Sequence, residues 1–286
     1  MSNAVAHSAG TAAPRVSLPA HACDCHIHIY EPRYATPGAA VLPNATVAEY
    51  RKLQARTGNT RTVIVNPAAH AFDNRATLEA IAQLGPDKAR GVAVLKPEVT
   101  DTQLGELHAG GIRGIRFTLF DPRTAVTRFE WVEPLSRRVH ELGWHTQLHW
   151  RGDQIVEHSD LISRLPGIIV FDHMGRLPRP EGALHPAFAI VARLMEQGRA
   201  WVKLSGPYLD DVGPDYPSRA AVVRAYARIA PQRLVWGSDW PHPTEKERKP
   251  DDAHMLDLFA GWLGDAHLRQ RILVDNPEQL YGFAPA

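Results

Sequence analysis

Past residues 1–20, which carry no periodic pattern, the chain alternates short apolar or β-branched runs with polar loops and longer stretches of helical period. Runs at 23–28, 61–66, 90–95, 114–119, 144–149, 168–173, 200–205 and 233–238 predict eight strands. Helical spacing near 46–57, 74–84, 101–109, 130–142, 153–164, 186–197 and 218–229 predicts helices between them, and two more are expected near 251–263 and 265–274. Asn74 and Asp101 are placed to cap first turns, and Gly143 and Gly198 to end helices in a left-handed residue. Pro134 falls inside its segment and should delay that helix by a few residues. So even a succession of strand–helix units predicts one closed parallel barrel, a single α/β (β/α)8 TIM barrel over 21–286, with an open doubly wound sheet as the alternative. Residues 1–20, rich in Ala with Ser, Thr and Pro, read as a flexible arm.

With 44% apolar residues in 286, a sizeable core is available. A formal net charge of +1 without blocks of like charge argues against nucleic acid or a lipid surface as partner. The start lacks the basic and apolar regions of a signal peptide, and no stretch is long and apolar enough to span a bilayer. Cys23 and Cys25, two apart on one strand, are awkward to bridge and read as buried thiols, so a cytoplasmic location is expected. Self-association is left open.

The chemistry gathers where the apolar runs stop. Alternation along the first strand would place Asp24, His26 and His28 on one face and Cys23, Cys25 and Ile27 on the other. Buried imidazoles need a carboxylate or cation as partner, and the Asp172-His173 and Asp239 strand ends offer carboxylates. In a barrel His26, His28, His173 and Asp239, with Asn66, Arg116, His149, Lys203 and Ser205, lie at the carboxyl ends of strands, where such folds place active sites. His140, His158, His185, His254 and His267 fall in helical or loop stretches and read as solvated or locally bonded.

The opening Asp24-x-His26-x-His28, the His173-Met174-Gly175 turn, the strand end Gly237-Ser238-Asp239-Trp240-Pro241 and the closing 276–283 resemble the amidohydrolase superfamily, and within it the branch of 2-pyrone-4,6-dicarboxylate lactonases and related lactone hydrolases and isomerases. The resemblance implies a catalytic set of Asp239, His173, His26 and His28, in which Asp239 moves a proton and the imidazoles polarise a carbonyl directly or through a metal. It implies either no cofactor or one divalent ion, zinc first, on His26, His28, His149 and Asp239. Arg116-Phe117-Thr118-Leu119 offers no Lys or Glu to bridge two metals. Arg116, Arg123 and Arg176 suit a carboxylate-bearing lactone, with His149, Lys203, Tyr208 and Asn66 as further substrate contacts; pairing of the arginines with nearby aspartates is the competing reading. The loops after strands four and seven lack basic residues expected of the pyrone enzymes, which makes a sugar-acid lactone or muconolactone-like substrate comparable. A lactonase using Asp239 on water is the first expectation. A lactone isomerase, a metal-dependent decarboxylase and a barrel that binds without turnover are the alternatives.

Overall fold

The computed structural model describes residues 4–123, 125–213 and 215–285. All eight expected strands form one sheet in chain order: β1 (Cys23–Ile27), β2 (Arg61–Val65), β3 (Ala89–Ala93), β4 (Ile112–Thr118), β5 (His145–His149), β6 (Ile169–Phe171), β7 (Ala200–Leu204) and β8 (Leu234–Trp236). Each consecutive pair is parallel. The chain beyond β8 closes the cylinder against β1: Ile27 bridges Trp240, the His28 amide donates to the Trp240 carbonyl at 2.8 Å, and the Asp239 amide donates to the His26 carbonyl at 2.8 Å. Gly237 permits this approach, because a Cβ there would lie 2.6 Å from His26 Cβ. The fold is the expected (β/α)8 barrel, and its seam carries two of the expected site residues.

The helices are α1 (Val47–Thr57), α2 (Arg75–Leu84), α3 (Asp101–Ala109), α4 (Phe129–His140), α5 (Gly152–Glu157), α6 (Ser159–Arg164), α7 (Pro186–Glu196), α8 (Pro217–Ile229), α9 (Asp252–Leu263), α10 (Ala266–Gln270) and α11 (Asn276–Tyr281). Pro134 does not delay α4, which starts at Phe129; burying Val132, Leu135 and Val139 against the barrel outweighs one lost backbone hydrogen bond. The cap of α3 is Thr100, in a reciprocal box with Gln103, and Asp101 is the first helical residue. Asn74 precedes α2 without capping it, because its amide is spent on both backbone groups of Val94, each at 3.0 Å. The helix expected at 153–164 breaks at His158, whose ring stacks on Phe129 at 4.0 Å. Past α10 a π turn at 271–275 leads into α11, and Asn276 donates to the carbonyls of Pro231 and Leu234, which pins α11 to the barrel floor.

A register shift between Asp24 and Ile27 corrects the expected alternation of β1. Cys23 and Cys25 pack with Val63, Val65, Val92, Val170, Trp201 and Val235 beneath Tyr281 and Phe283, filling the lower barrel. The Asp24 side chain instead faces α1, where Tyr50 donates to it at 3.3 Å, and it accepts the Ser238 amide at 2.8 Å. Burial pushes its carboxyl up to about 7. Asp24 therefore splices β1 to the end of β8 from outside. His26 and His28 resume the interior face above the shift. In the amino-terminal segment Val5 is buried, Trp240 donates to the Ala6 carbonyl at 2.8 Å, and Arg56 donates to the carbonyls of Ala9 and Gly10. Among the described residues no helix is long and apolar enough to cross a membrane.

Candidate active site

Two aspartates anchor the barrel mouth. Asp239 sits just past β8 in left-handed backbone, φ 66°, and His173 just past β6 at φ 48°. Such conformations are sparsely populated outside glycine and mark positions held by their surroundings. Asp239 Oδ1 lies 3.6 Å from His26 Nε2 and 3.7 Å from His28 Nε2, and Oδ2 accepts a 2.6 Å hydrogen bond from Tyr208. The rings of His26 and His28 are 5.0 Å apart, those of His26 and His173 4.8 Å, and those of His149 and His173 4.9 Å. The expected catalytic quartet thus converges.

Burial alone would raise the Asp239 carboxyl, but the imidazoles of His173, His28 and His26 outweigh it and hold the group well below the usual carboxylate range. Burial acts on the imidazoles in the other sense. It lowers His173 to about 4 against the pull of Asp239, and lowers His26 with help from the Lys203 charge. An ionised carboxylate beside the neutral rings of His173 and His26 is the arrangement a general base requires.

Asp172 is the second anchor, at the end of β6. Arg116 Nε donates to it at 2.8 Å and Gln147 Nε2 at 3.0 Å, while His26 Nδ1 lies at 3.4 Å and Lys203 Nζ at 3.9 Å. Burial would raise its carboxyl, yet Arg116, His26 and Lys203 hold it well below the ordinary range. Lys203, expected to touch substrate, is fully buried with Nζ 3.4 Å from His26 Nδ1, so it supports the histidine from below. Burial lowers this ammonium to about 8.

The arginines divide. Arg116 spends Nε on Asp172 and keeps its terminal nitrogens without a hydrogen-bond acceptor among the described residues. Arg176 is held by both oxygens of Asp210, at 2.7 and 2.8 Å, and its Nη1 lies 3.1 Å from His149 Nε2. Arg123 is 88% exposed, clasped to Asp121, and is not brought to the cluster. Asn66 is tied at both ends of its amide, donating to the Ala71 carbonyl and accepting from Thr77. The competing reading, pairing with an aspartate, is thus realised for all three, and Arg116 alone keeps its terminal nitrogens unspent among the described residues.

His28 Nδ1 is 2.8 Å from the Val65 carbonyl, which can only accept, so the proton sits on Nδ1 and the Nε2 lone pair faces Asp239. His26 Nε2 is buried without a hydrogen-bond partner, and the ligand atoms of His26, His28 and Asp239 all lie within 4.8 Å of one another. The orphaned His26 Nε2 and the His28 lone pair both face the Asp239 carboxylate, which leaves a place for a proton or cation among them, so this trio fits one divalent ion. His149, expected as a fourth ligand, lies outside the trio and gives Nε2 to Arg176.

Several residues of the constellation had no role assigned from sequence. Ser205 holds His173 Nδ1 at 2.9 Å, and His242, buried past Asp239, bridges Tyr208 at 3.0 Å and Asp252 at 3.2 Å. Asp172 and Gln147 were legible as interior positions of β6 and β5 that end next to other polar residues. Beside the histidines a cavity of about 170 Å³ opens between Asn66, Thr118, Phe120, Thr127 and His149. Larger clefts, of about 480 Å³ along α2 and α3 and about 550 Å³ along α4 and α6, touch none of the site residues.

Known proteins supply the wider setting. The amidohydrolase family pattern matches residues 23–283. The chain is 34% identical to 2-pyrone-4,6-dicarboxylate hydrolase of Comamonas testosteroni, over 94% of this chain and 92% of that one. It is 32% identical to D-galactarolactone isomerase of Agrobacterium fabrum, over 100% and 99%. A crystal structure from Agrobacterium tumefaciens, 31% identical, superposes with a TM-score of 0.88 over 98% of this chain and 99% of that one.

Proposed function

Since the chain belongs to the amidohydrolase family, we propose that it hydrolyses a small lactone bearing at least one carboxylate, with Asp239 as the base that activates water. The observation that carries this reading is the ionised Asp239, one oxygen held by Tyr208 and the other turned to His26 and His28. The terminal nitrogens of Arg116 bind the substrate carboxylate as a planar fork. His173, fixed through Nδ1 by Ser205, offers its other nitrogen to the lactone carbonyl. Asp239 takes a proton from water as the oxygen attacks the carbonyl carbon. It returns that proton to the ring oxygen when the ester bond breaks, giving an open hydroxy acid. Positioned proton transfer of this kind contributes on the order of 10²–10⁴ in rate. A divalent ion on His26, His28 and Asp239 would, when bound, acidify water and polarise the carbonyl.

A panel of acid-bearing and neutral lactones, followed by acid release alongside metal analysis of the untagged protein, tests the reading. Turnover confined to the acid-bearing members is expected, and preference for neutral lactones would remove the role given to Arg116. A lactone isomerase using the same carboxylate as a proton shuttle is the second reading, favoured by similarity to the galactarolactone enzyme over both full lengths.

A further inference from the structure

Four consecutive strands end at the 170 Å³ cavity: Asn66 follows β2, Val94 follows β3, Thr118 ends β4 and His149 ends β5. The catalytic groups stand on the other half of the mouth, at the ends of β1, β6 and β8. Register fixes the height of the cavity. Arg116 pairs with Gln147 and Thr118 with His149, and Arg116 and Gln147 both donate inward to Asp172, so Thr118 and His149 form the next interior layer above them. Val94 lies two residues past Val92, which packs inside the barrel. The His149 ring, 4.9 Å from that of His173, joins the two halves. A lactone with its acid on Arg116 and its carbonyl at His173 therefore turns its remaining substituent toward this space.

The space is walled mainly by hydrocarbon, from Ala68, Val94, Phe120, Ala125 and Val126. The polar residues around it turn their polar atoms elsewhere. The Thr127 hydroxyl and His149 Nδ1 are closed off from it, and His149 Nε2 is given to Arg176. Asn66 has spent both ends of its amide, and Asp121 is clasped by Arg123. Half-buried Thr118 brings the remaining hydroxyl. No Lys or Arg lines the cavity among the described residues. A second substrate acid here would lose its water without meeting a cation, and a run of hydroxyls would exchange water for one partner, whereas a hydrocarbon group gains by leaving water. A hydrocarbon-lined cavity of about 150 Å³ holds a benzene molecule, so there is room here for a group of that size.

Resting on the lactonase reading, and deepening it, we propose that this cavity is an apolar subsite for a compact hydrocarbon substituent of the lactone. The preferred substrate then carries one acid, on Arg116, and an alkyl group in the cavity, rather than a second acid or a set of hydroxyls.

The test measures kcat/KM on one monocarboxylated lactone bearing hydrogen or an unbranched alkyl group from methyl to hexyl, beside its hydroxymethyl and carboxymethyl counterparts. Wild type should gain about fourfold per methylene until the cavity is full, mainly through KM, with both polar counterparts below the methyl lactone. Val94→Ile adds one methylene to the wall and should move the optimum one carbon shorter; Thr118→Val exchanges the hydroxyl for a methyl and should keep the rise. Thermal melts check that both variants fold. A flat or falling series, a wild-type preference for the hydroxymethyl or carboxymethyl lactone, an optimum unmoved in Val94→Ile, or a rise lost in Thr118→Val would each overturn the subsite. Calorimetric binding of the corresponding open-chain hydroxy acids gives a readout independent of turnover. Affinity that climbs with alkyl length and shifts in Val94→Ile supports the subsite even if no lactone is opened, which would sink the lactonase reading alone. Affinity independent of alkyl length overturns the subsite.

Discussion

Asp172 and Asp239 close neighbouring parts of one barrel mouth, both buried and both ionised, yet their surroundings assign them opposite work. Asp172 is enclosed by Arg116, Gln147, His26 and Lys203. Its charge is matched by full cations, so protonation would strand those cations in a low-dielectric interior. Asp239 is surrounded by imidazoles and one phenol, with Oδ1 facing His26 and His28 and Oδ2 held by Tyr208. Tyr208 donates to it, and among the described residues no Arg or Lys is hydrogen-bonded to it, so its charge is held without the full ion pairs that Asp172 makes. What makes one aspartate a strut and the other a base is thus the charge of its neighbours; burial is common to both.

Asp239→Asn should break the comparison most sharply, with kcat falling by roughly 10³-fold or more and melting temperature nearly unchanged. Retained activity would transfer the proton to another group. Asp172→Asn should do the reverse in kind, destabilising by about 3–5 kcal/mol because Arg116 and Lys203 lose their buried counter-charge. A chemical-denaturation midpoint equal to wild type would show that the cluster is not the strut described.

A smaller, graded effect comes from acid. His173 is held to about 4 and His145 to about 3, both by burial, and burial also lowers His26 and His149. An unfolded imidazole titrates near 6.5, so below that pH the unfolded chain binds protons the folded one refuses. Their contribution is complete above about pH 6.5 and is lost as pH falls, by about 1.4 kcal/mol per imidazole per pH unit. Asp24, raised by burial to about 7, runs oppositely and offsets one of them. Melting temperature should therefore fall from pH 7 to pH 5, and a flat profile would contradict neutral burial of the histidines. The smallest effect is expected of Tyr208→Phe, which removes one donor to Asp239. The acid limb of kcat/KM should move up in pH while kcat drops by about tenfold. An unmoved limb would mean that Tyr208 does not set the base.

Much of this was legible in the chain because both signals are local. Strand ends are marked by where apolar runs stop, and polar residues at those ends converge in a closed barrel. The side of Asp24 was not legible, since one shifted register in β1 reverses the parity of every residue before it. The burial of Lys203 beneath His26 depends on three strands meeting, which strand spacing cannot encode. Nor could residue type separate Arg116 from Arg123 and Arg176. All three find an aspartate, and only Arg116 keeps a free edge of its guanidinium inside the mouth.

Ring opening in ¹⁸O-enriched water tests most directly that Asp239 delivers water to a lactone carbonyl. A product one water heavier, with a single ¹⁸O in its new carboxylate and formation abolished by Asp239→Asn, is the predicted result. A product of unchanged mass without label would contradict hydrolysis and make the same carboxylate an isomerase's proton shuttle.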